Sequence, residues 1–161
     1  MNYKKIIPYG IAIVIFVLAA LIYFSPVLEG KKILQSDIVQ FTGMSKEIQD
    51  YRAEHHTEPY WTDAAFGGMP AFQVSTYFPY DFIKKIDDLI RFLPHPADYL
   101  FLYFIGFFVL LSVLKIDWRL AIFGSLAFGL STYLIIILGV GHNAKAHAIG
   151  YFPLVLSGVL L

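Results

Sequence analysis

Cysteine is absent from all 161 residues of the chain. Disulfide bonds, thiolate metal sites and thiol nucleophiles are therefore excluded. Charge is also scarce, because only 15% of the residues are Asp, Glu, Lys or Arg, against roughly 25% in soluble domains. Acidic and basic residues balance, with 12 of each. No net positive field therefore favours nucleic acid as a partner.

Apolar residues make up 58% of the chain and occur in long blocks. The uncharged blocks 6–24 and 120–140 are long enough as helices to cross a hydrocarbon core of ~30 Å. The block 99–114 is flanked by charges, and 148–161 runs to the last residue, as the start of a fourth span would. The sequence predicts an all-α integral membrane protein whose residues 1–161 form a single membrane domain, the N-terminal part of a longer helical bundle that we expect to be inactive alone.

The basic residues near the apolar blocks predict the orientation. Lys4 and Lys5 would also suit a cleaved signal peptide, but the apolar run exceeds the usual ~7–15 residues and no small-residue cleavage site follows. Together with Lys115 and Arg119 they lie on one predicted side, whereas Lys145 lies on the other. The side richer in Lys and Arg usually faces the cytoplasm. We therefore expect a cytoplasmic N-terminus, with the loop 25–98 and the connection 141–147 both outside.

The loop 25–98 is too long for a simple connector. Within it, residues 81–93 place apolar side chains on one stripe of a helix and charges on the opposite face. Such a helix beside a span is expected to lie in the membrane interface, although a soluble subdomain would use the same pattern. A weaker helical pattern covers 36–52, with Gly43 interrupting it, and an aromatic segment closes at Gly67 and Gly68.

The loop also contains three recognisable sequence motifs. Ser36-Asp-Ile-Val-Gln40, then Pro59-Tyr-Trp-Thr-Asp-Ala-Ala-Phe-Gly-Gly-Met-Pro70, then Tyr77-Phe-Pro79 resemble the YfhO family of bacterial membrane proteins, and the loop looks like proteins of Bacteroidetes-type bacteria. That family is similar to the C-type (GT-C) glycosyltransferases, which take sugars from polyprenyl-phosphate carriers. Thr62 replaces the family's usual asparagine, and the proline often seen after Gln40 is absent.

The resemblance implies a GT-C-like bundle in the bacterial inner membrane. It would be an inverting glycosyltransferase that moves a sugar from a polyprenyl-phosphate donor to a cell-envelope acceptor at the outer face. Because the phosphate leaves without a proton donor, one carboxylate suffices as general base. The resemblance gives that role to Asp37, with Asp63 as second choice. Spacing alone favours the other interpretation, in which Asp37 only starts a helix beside Ser36.

Two further groups of residues are candidates for substrate binding. Gln40 and Trp61 would contact the sugar, although tryptophan is also enriched at membrane interfaces. The connection after the third block would bind the donor phosphate through a helix N-terminus capped by Asn143. Its polar side chains are His142, Asn143, Lys145 and His147. The alternative is a lysine that extends to the interface beside capping residues.

No metal site is predicted. No standard metal-ligand spacing is matched by His55, His56, Glu58 and Asp63. The two histidines of the 141–147 connection, His142 and His147, match none either. Mg²⁺ or Mn²⁺ on carboxylates, as in some relatives, is the alternative.

Two other functions remain open on the sequence alone. A transporter or flippase for a lipid-linked or anionic substrate would need ionisable residues within its spans, and the three complete predicted spans contain none. A non-catalytic membrane scaffold would instead use the outer loop to bind a partner.

Overall fold

The structure, a computed structural model, describes residues 6–78 and 80–161. These residues are mostly helical, as expected of an all-α chain, with one pair of two-residue strands. The chain divides into two compact units, a helical unit (Met1–Ile33 with Lys85–Leu161) and a loop unit (Leu34–Lys84). The helices are α1 Ile7–Tyr23, α2 Ser36–His55, α3 Phe82–Ile90, α4 Ala97–Val113, α5 Trp118–Gly129, α6 Thr132–Val140 and α7 Asn143–Leu160.

Helix α4 is the centre of the helical unit, where it contacts α1, α5 and α7. The ring of Phe16 lies 5.5 Å from the rings of both Phe104 and Phe108. Tyr9, near the start of α1, packs against Phe108, near the end of α4, at 5.9 Å. The two helices are therefore antiparallel, so the start of α1 and the end of α4 share one end of the unit.

Helix α7 packs on α4 through small side chains. Its buried residues are Ala146, Gly150, Pro153 and Ser157, which recur on one face at helical spacing. A Cβ atom built on Gly106 of α4 would lie 2.5 Å from the carbonyl oxygen of Gly150. The two backbones approach so closely because neither residue has a side chain.

Large apolar side chains point away from the helical unit. On α1, Val14, Leu18 and Ile22 are exposed, while the residues it buries include Ala12 and Ala20. Phe123 of α5 is 73% exposed. Scattered apolar side chains are common on protein surfaces, but contiguous exposed apolar surface marks a contact with a partner or with lipid.

The structure corrects the predicted block 120–140. It is two helices, α5 and α6, bent by 49°. Ser131 between them has an extended backbone, with ψ 142°, and Ser and Thr favour helix starts over helix interiors. This α5–α6 pair passes as a span by length and composition, whereas no single helix among the described residues is long and apolar enough to cross a membrane.

The other predicted helices are present with different ends. Helix α7 begins at Asn143 rather than 148, because Gly141, at φ 91°, ends α6 and the link consists of Gly141 and His142. Helix α3 ends at Ile90 rather than 93. In the loop unit, α2 continues through Gly43 to His55.

The loop unit is held together by side chains of α2. Glu47 accepts hydrogen bonds from the Thr62 hydroxyl at 2.6 Å and from the backbone N–H groups of Asp63 and Ala64. Arg52 binds both carboxylate oxygens of Glu58 at 2.7 Å. These contacts dock the aromatic segment on α2, where β1 (Trp61–Thr62) pairs antiparallel with β2 (Met69–Pro70).

Candidate functional site

A cluster of buried and half-buried polar side chains lies where α3 meets the first turns of α4 and α7. Its members, here called the Asp87 cluster, are Asp87, Arg91, Asp98, His147 and Tyr151. The carboxylate of Asp87, a residue only 7% exposed, accepts hydrogen bonds from Arg91 Nη2 at 2.6 Å and from Tyr151 Oη at 2.9 Å. His147 Nε2 lies 2.7 Å from Asp87 Oδ1. Asp87 therefore joins α3 to α7.

Arg91 extends the cluster to α4. Its Nη1 donates to Asp98 Oδ2 at 2.5 Å, and its guanidinium lies over the Tyr99 ring, 4.7 Å from the centroid. His95 Nδ1 lies 3.2 Å from the other oxygen of Asp98. The planar guanidinium can bind two carboxylates at once in this way because its five N–H donors point in fixed directions.

Asp87 is ionised in this setting. Burial alone would raise the pKa of its carboxyl, but the hydrogen bonds from Arg91, His147 and Tyr151 outweigh burial and hold that pKa well below its usual range. The bond to Asp87 correspondingly raises the pKa of Arg91 further above its ordinary value. Two carboxylates, those of Asp87 and Asp98, then face one guanidinium.

The Asp87–His147 pair is able to move a proton or bind an anion. With Nε2 directed at Asp87, the other ring nitrogen, Nδ1, makes no hydrogen bond to any residue that the structure describes, and the side chain is 38% exposed. In the neutral ring that donates from Nε2, Nδ1 is an acceptor, and in the protonated ring it is a donor. A carboxylate that fixes an imidazole in this manner is common to acid–base and anion-binding sites.

The predicted phosphate-binding residues lie in or next to the first turns of α7, but Lys145 and His147 are two positions apart and face different sides of the helix. Lys145 is exposed, with its ammonium 5.8 Å from the centroid of the Tyr133 ring. The predicted cap by Asn143 is wrong, because His142 occupies the N-cap position and no side chain there caps the helix. Asn143 is instead the first helical residue, and its Oδ1 is buried without a hydrogen-bond partner among the described residues.

The predicted sugar-binding and catalytic residues lie in the loop unit. Asp37 is half-buried in the first turn of α2, and Gln40 is exposed three residues later. The Trp61 indole N–H donates to Asp63 Oδ1 at 3.0 Å, with Trp61 55% exposed. The structure thus brings Trp61 and Asp63 into contact. Since the two units are separate bodies, the predicted proximity of Asp37 to residues 141–147 stays a prediction.

Glu47 is a functional candidate that sequence reasoning missed. The hydrogen bond from the Thr62 hydroxyl, with the backbone N–H groups of Asp63 and Ala64, lowers the pKa of its carboxyl, although burial acts in the opposite direction. Thr62 is buried and orients this carboxylate. Glu47 thereby fixes the backbone at Asp63.

Asp87, Arg91, Asp98 and Tyr151 were also missed. The only sequence signal was spacing, because Asp87 and Arg91, like His147 and Tyr151, are separated by four residues and so share a helix face. Within the described ranges, no group of three or more His, Asp or Glu side chains could hold a metal ion.

Comparisons of the chain with protein-family models, with curated proteins and with solved structures find no match.

Proposed function

We propose that this chain belongs to an inverting membrane glycosyltransferase of the GT-C type, which uses a polyprenyl-phosphate sugar at the outer face of the bacterial inner membrane. The observation that carries the proposal is the start of α7, where the Asp87-bound His147 and the buried Asn143 amide oxygen lie four residues apart on one face of the helix. The resemblance of residues 36–40 and 59–70 to the YfhO family supports the reaction class.

The arrangement of side chains in the helical unit supports a membrane location. Small residues fill the α4–α7 contact, while large ones such as Leu18 and Phe123 face outward. Membrane helices use small residues to pack closely, because lipid leaves no hydrophobic gain between helices. The bilayer is therefore the first partner we assign, with the N-terminus in the cytoplasm and the loop unit outside.

The start of α7 would bind the donor phosphate. Phosphate oxygens accept hydrogen bonds from cationic side chains and from helix N-terminal N–H groups. His147, held by Asp87, offers its second ring nitrogen, Lys145 supplies an ammonium on another side of α7, and His142 lies at the N-cap. Asp87 and Arg91 act here as positioning residues that orient the imidazole.

Asp37 would accept the proton of the acceptor hydroxyl as that oxygen attacks the anomeric carbon. The C–O bond to the carrier breaks on the opposite face, and its electrons leave with the phosphate. Gln40 and Trp61 are the proposed sugar contacts, and Asp63, bound to Trp61, is the second choice for the base. The acceptor would be a component of the cell envelope.

Sugar transfer by the full-length protein in proteoliposomes tests the base, with polyprenyl-phosphate monosaccharides as donors. Asp37→Asn should lower turnover by roughly 10²–10⁴-fold, the usual contribution of a general base. Asp50→Asn is the matched control on the same helix, because Asp50 is an exposed partner of Lys46 and its loss should leave turnover unchanged. Normal turnover of Asp37→Asn would remove the assignment, and loss only in Asp63→Asn would transfer the role.

Donor binding is measured in the same assay. His147→Ala and Lys145→Ala should raise KM for the donor more than they lower kcat, since they contact the phosphate in both ground and transition states. A fall in kcat alone, with KM for the donor unchanged, would contradict phosphate binding at α7.

A further inference from the structure

An apolar groove lies in the helical unit at the end of α4 remote from the Asp87 cluster. Its volume is about 430 Å³, within the range of ~300–1,000 Å³ typical of ligand sites. It is lined by Tyr9 and Ile13 of α1, by Phe108 and Val109 of α4 and by Leu161 at the end of α7. Lys115 lines the same groove.

The groove follows the helix axes. Ile105, Val109 and Val113 line it one turn apart on α4, which corresponds to a length of about 12 Å. Tyr9 and Ile13 have the same spacing on the antiparallel α1. A long, narrow apolar surface of this kind matches an extended hydrocarbon chain.

Lys115 supplies a cation at the groove from an unusual backbone position. Its φ is 60°, in the left-handed region that favours glycine or asparagine. Its N–H donates to the Ser112 carbonyl at 3.0 Å, closing the end of α4. The Ile116 N–H also donates to the Leu111 carbonyl at 3.0 Å, so this positive φ belongs to the Schellman pattern that ends α4.

The ammonium of Lys115 forms no ion pair or hydrogen bond within residues 6–78 and 80–161. The nearest acid in sequence, Asp117, instead accepts from the Arg119 backbone N–H at 3.0 Å and caps α5. A cation beside an apolar groove is complementary to an amphiphile with an anionic head.

We propose that this groove binds one acyl chain of an anionic phospholipid whose phosphate pairs with Lys115. The inference rests on the membrane location in the proposed function, but the site is separate from the donor site, which lies at the start of α7. The lipid would come from the cytoplasmic leaflet, where the end of α4 is expected to lie.

Native mass spectrometry and thermal unfolding of the full-length protein in neutral detergent test the site. Phosphatidylglycerol should bind at least tenfold more tightly than phosphatidylcholine and raise the unfolding temperature. Lys115→Gly should abolish this preference while relieving the strained backbone, so the variant remains folded. Arg119→Gln is the control for general charge at the same end, and it should keep the preference.

A second variant tests the apolar part. Val109→Trp should fill the groove and block the lipid while the unfolding transition remains cooperative. The inference is overturned if Lys115→Gly keeps the preference, if Arg119→Gln loses it equally, or if neither lipid binds. Equal competition by glycerol phosphate, which has a head but no chain, would also overturn it. Sugar transfer is not read in these measurements, so their failure leaves the proposed function standing, and Asp37→Asn should bind lipid normally.

Discussion

Replacing Gly106 with alanine should force α4 away from α7. The added Cβ would lie 2.5 Å from the Gly150 carbonyl oxygen, whereas a carbon and an oxygen in contact are ~3.3 Å apart or more. The helices must therefore separate by about 0.8 Å, because the obstructing atom belongs to the backbone and cannot rotate away. His147, three residues before Gly150, would be drawn from Asp87.

The expected cost combines two opposing effects. Overpacking typically destabilises by roughly 1–3 kcal/mol, while alanine in place of glycine within a helix returns about 0.5–1 kcal/mol. We expect Gly106→Ala to lower the free energy of unfolding by about 1–2 kcal/mol, before any loss at the Asp87 cluster.

Denaturant unfolding followed by far-UV circular dichroism measures the difference. Gly158→Ala on α7 is the matched control, since nothing lies within 4 Å of its added Cβ, and it should be neutral or stabilise by up to about 1 kcal/mol. If Gly106→Ala is as stable as Gly158→Ala, the close approach of α4 and α7 is refuted.

Three other substitutions have expected outcomes. Asp87→Asn should lower the free energy of unfolding by roughly 3 kcal/mol, because it breaks a buried ion pair. Since folding lowers the pKa of Asp87, the wild type should also lose stability as the pH falls below about 4, and the variant should lose less. Tyr103→Phe should stabilise by about 1 kcal/mol, because the buried hydroxyl has no partner among the described residues, and a less stable variant would reveal an unseen one. Lys115→Gly should raise the free energy of unfolding without lipid by about 1 kcal/mol, and equal stability would argue against strain at φ 60°.

The helical blocks were predictable because apolar composition and length act locally. The predicted blocks 6–24 and 99–114 correspond to α1 and α4 within a few residues. The bend within residues 120–140 was not predictable. Only Ser131 and Thr132 interrupt a long apolar run there, and a hydropathy average over the run hides two residues. The two-unit division also went unseen, because it depends on contacts such as Glu47 with Thr62, which are distant in sequence.

For the candidate site, the sequence predicted Lys145 and His147 from their position beside apolar blocks, and of these two His147 is a member of the Asp87 cluster. It did not identify Asp87, which looked like one more charge on the polar face of an amphipathic helix. In the structure Asp87 is buried, whereas Lys84, Lys85 and Asp88 on the same helix are exposed, and so are Ile86 and Leu89 on the apolar stripe. Orientation of a helix is decided by its neighbours, and periodicity alone says only which residues share a face.

Composition and patterning by themselves determined that this chain is helical, poor in charge and free of thiol chemistry, because those properties depend on residue type and local spacing. Only the tertiary structure decided which charges meet. The charged residues of the Asp87 cluster come from parts of the chain up to 60 residues apart. Each carboxylate can be buried only because hydrogen-bond donors from elsewhere in the chain reach it.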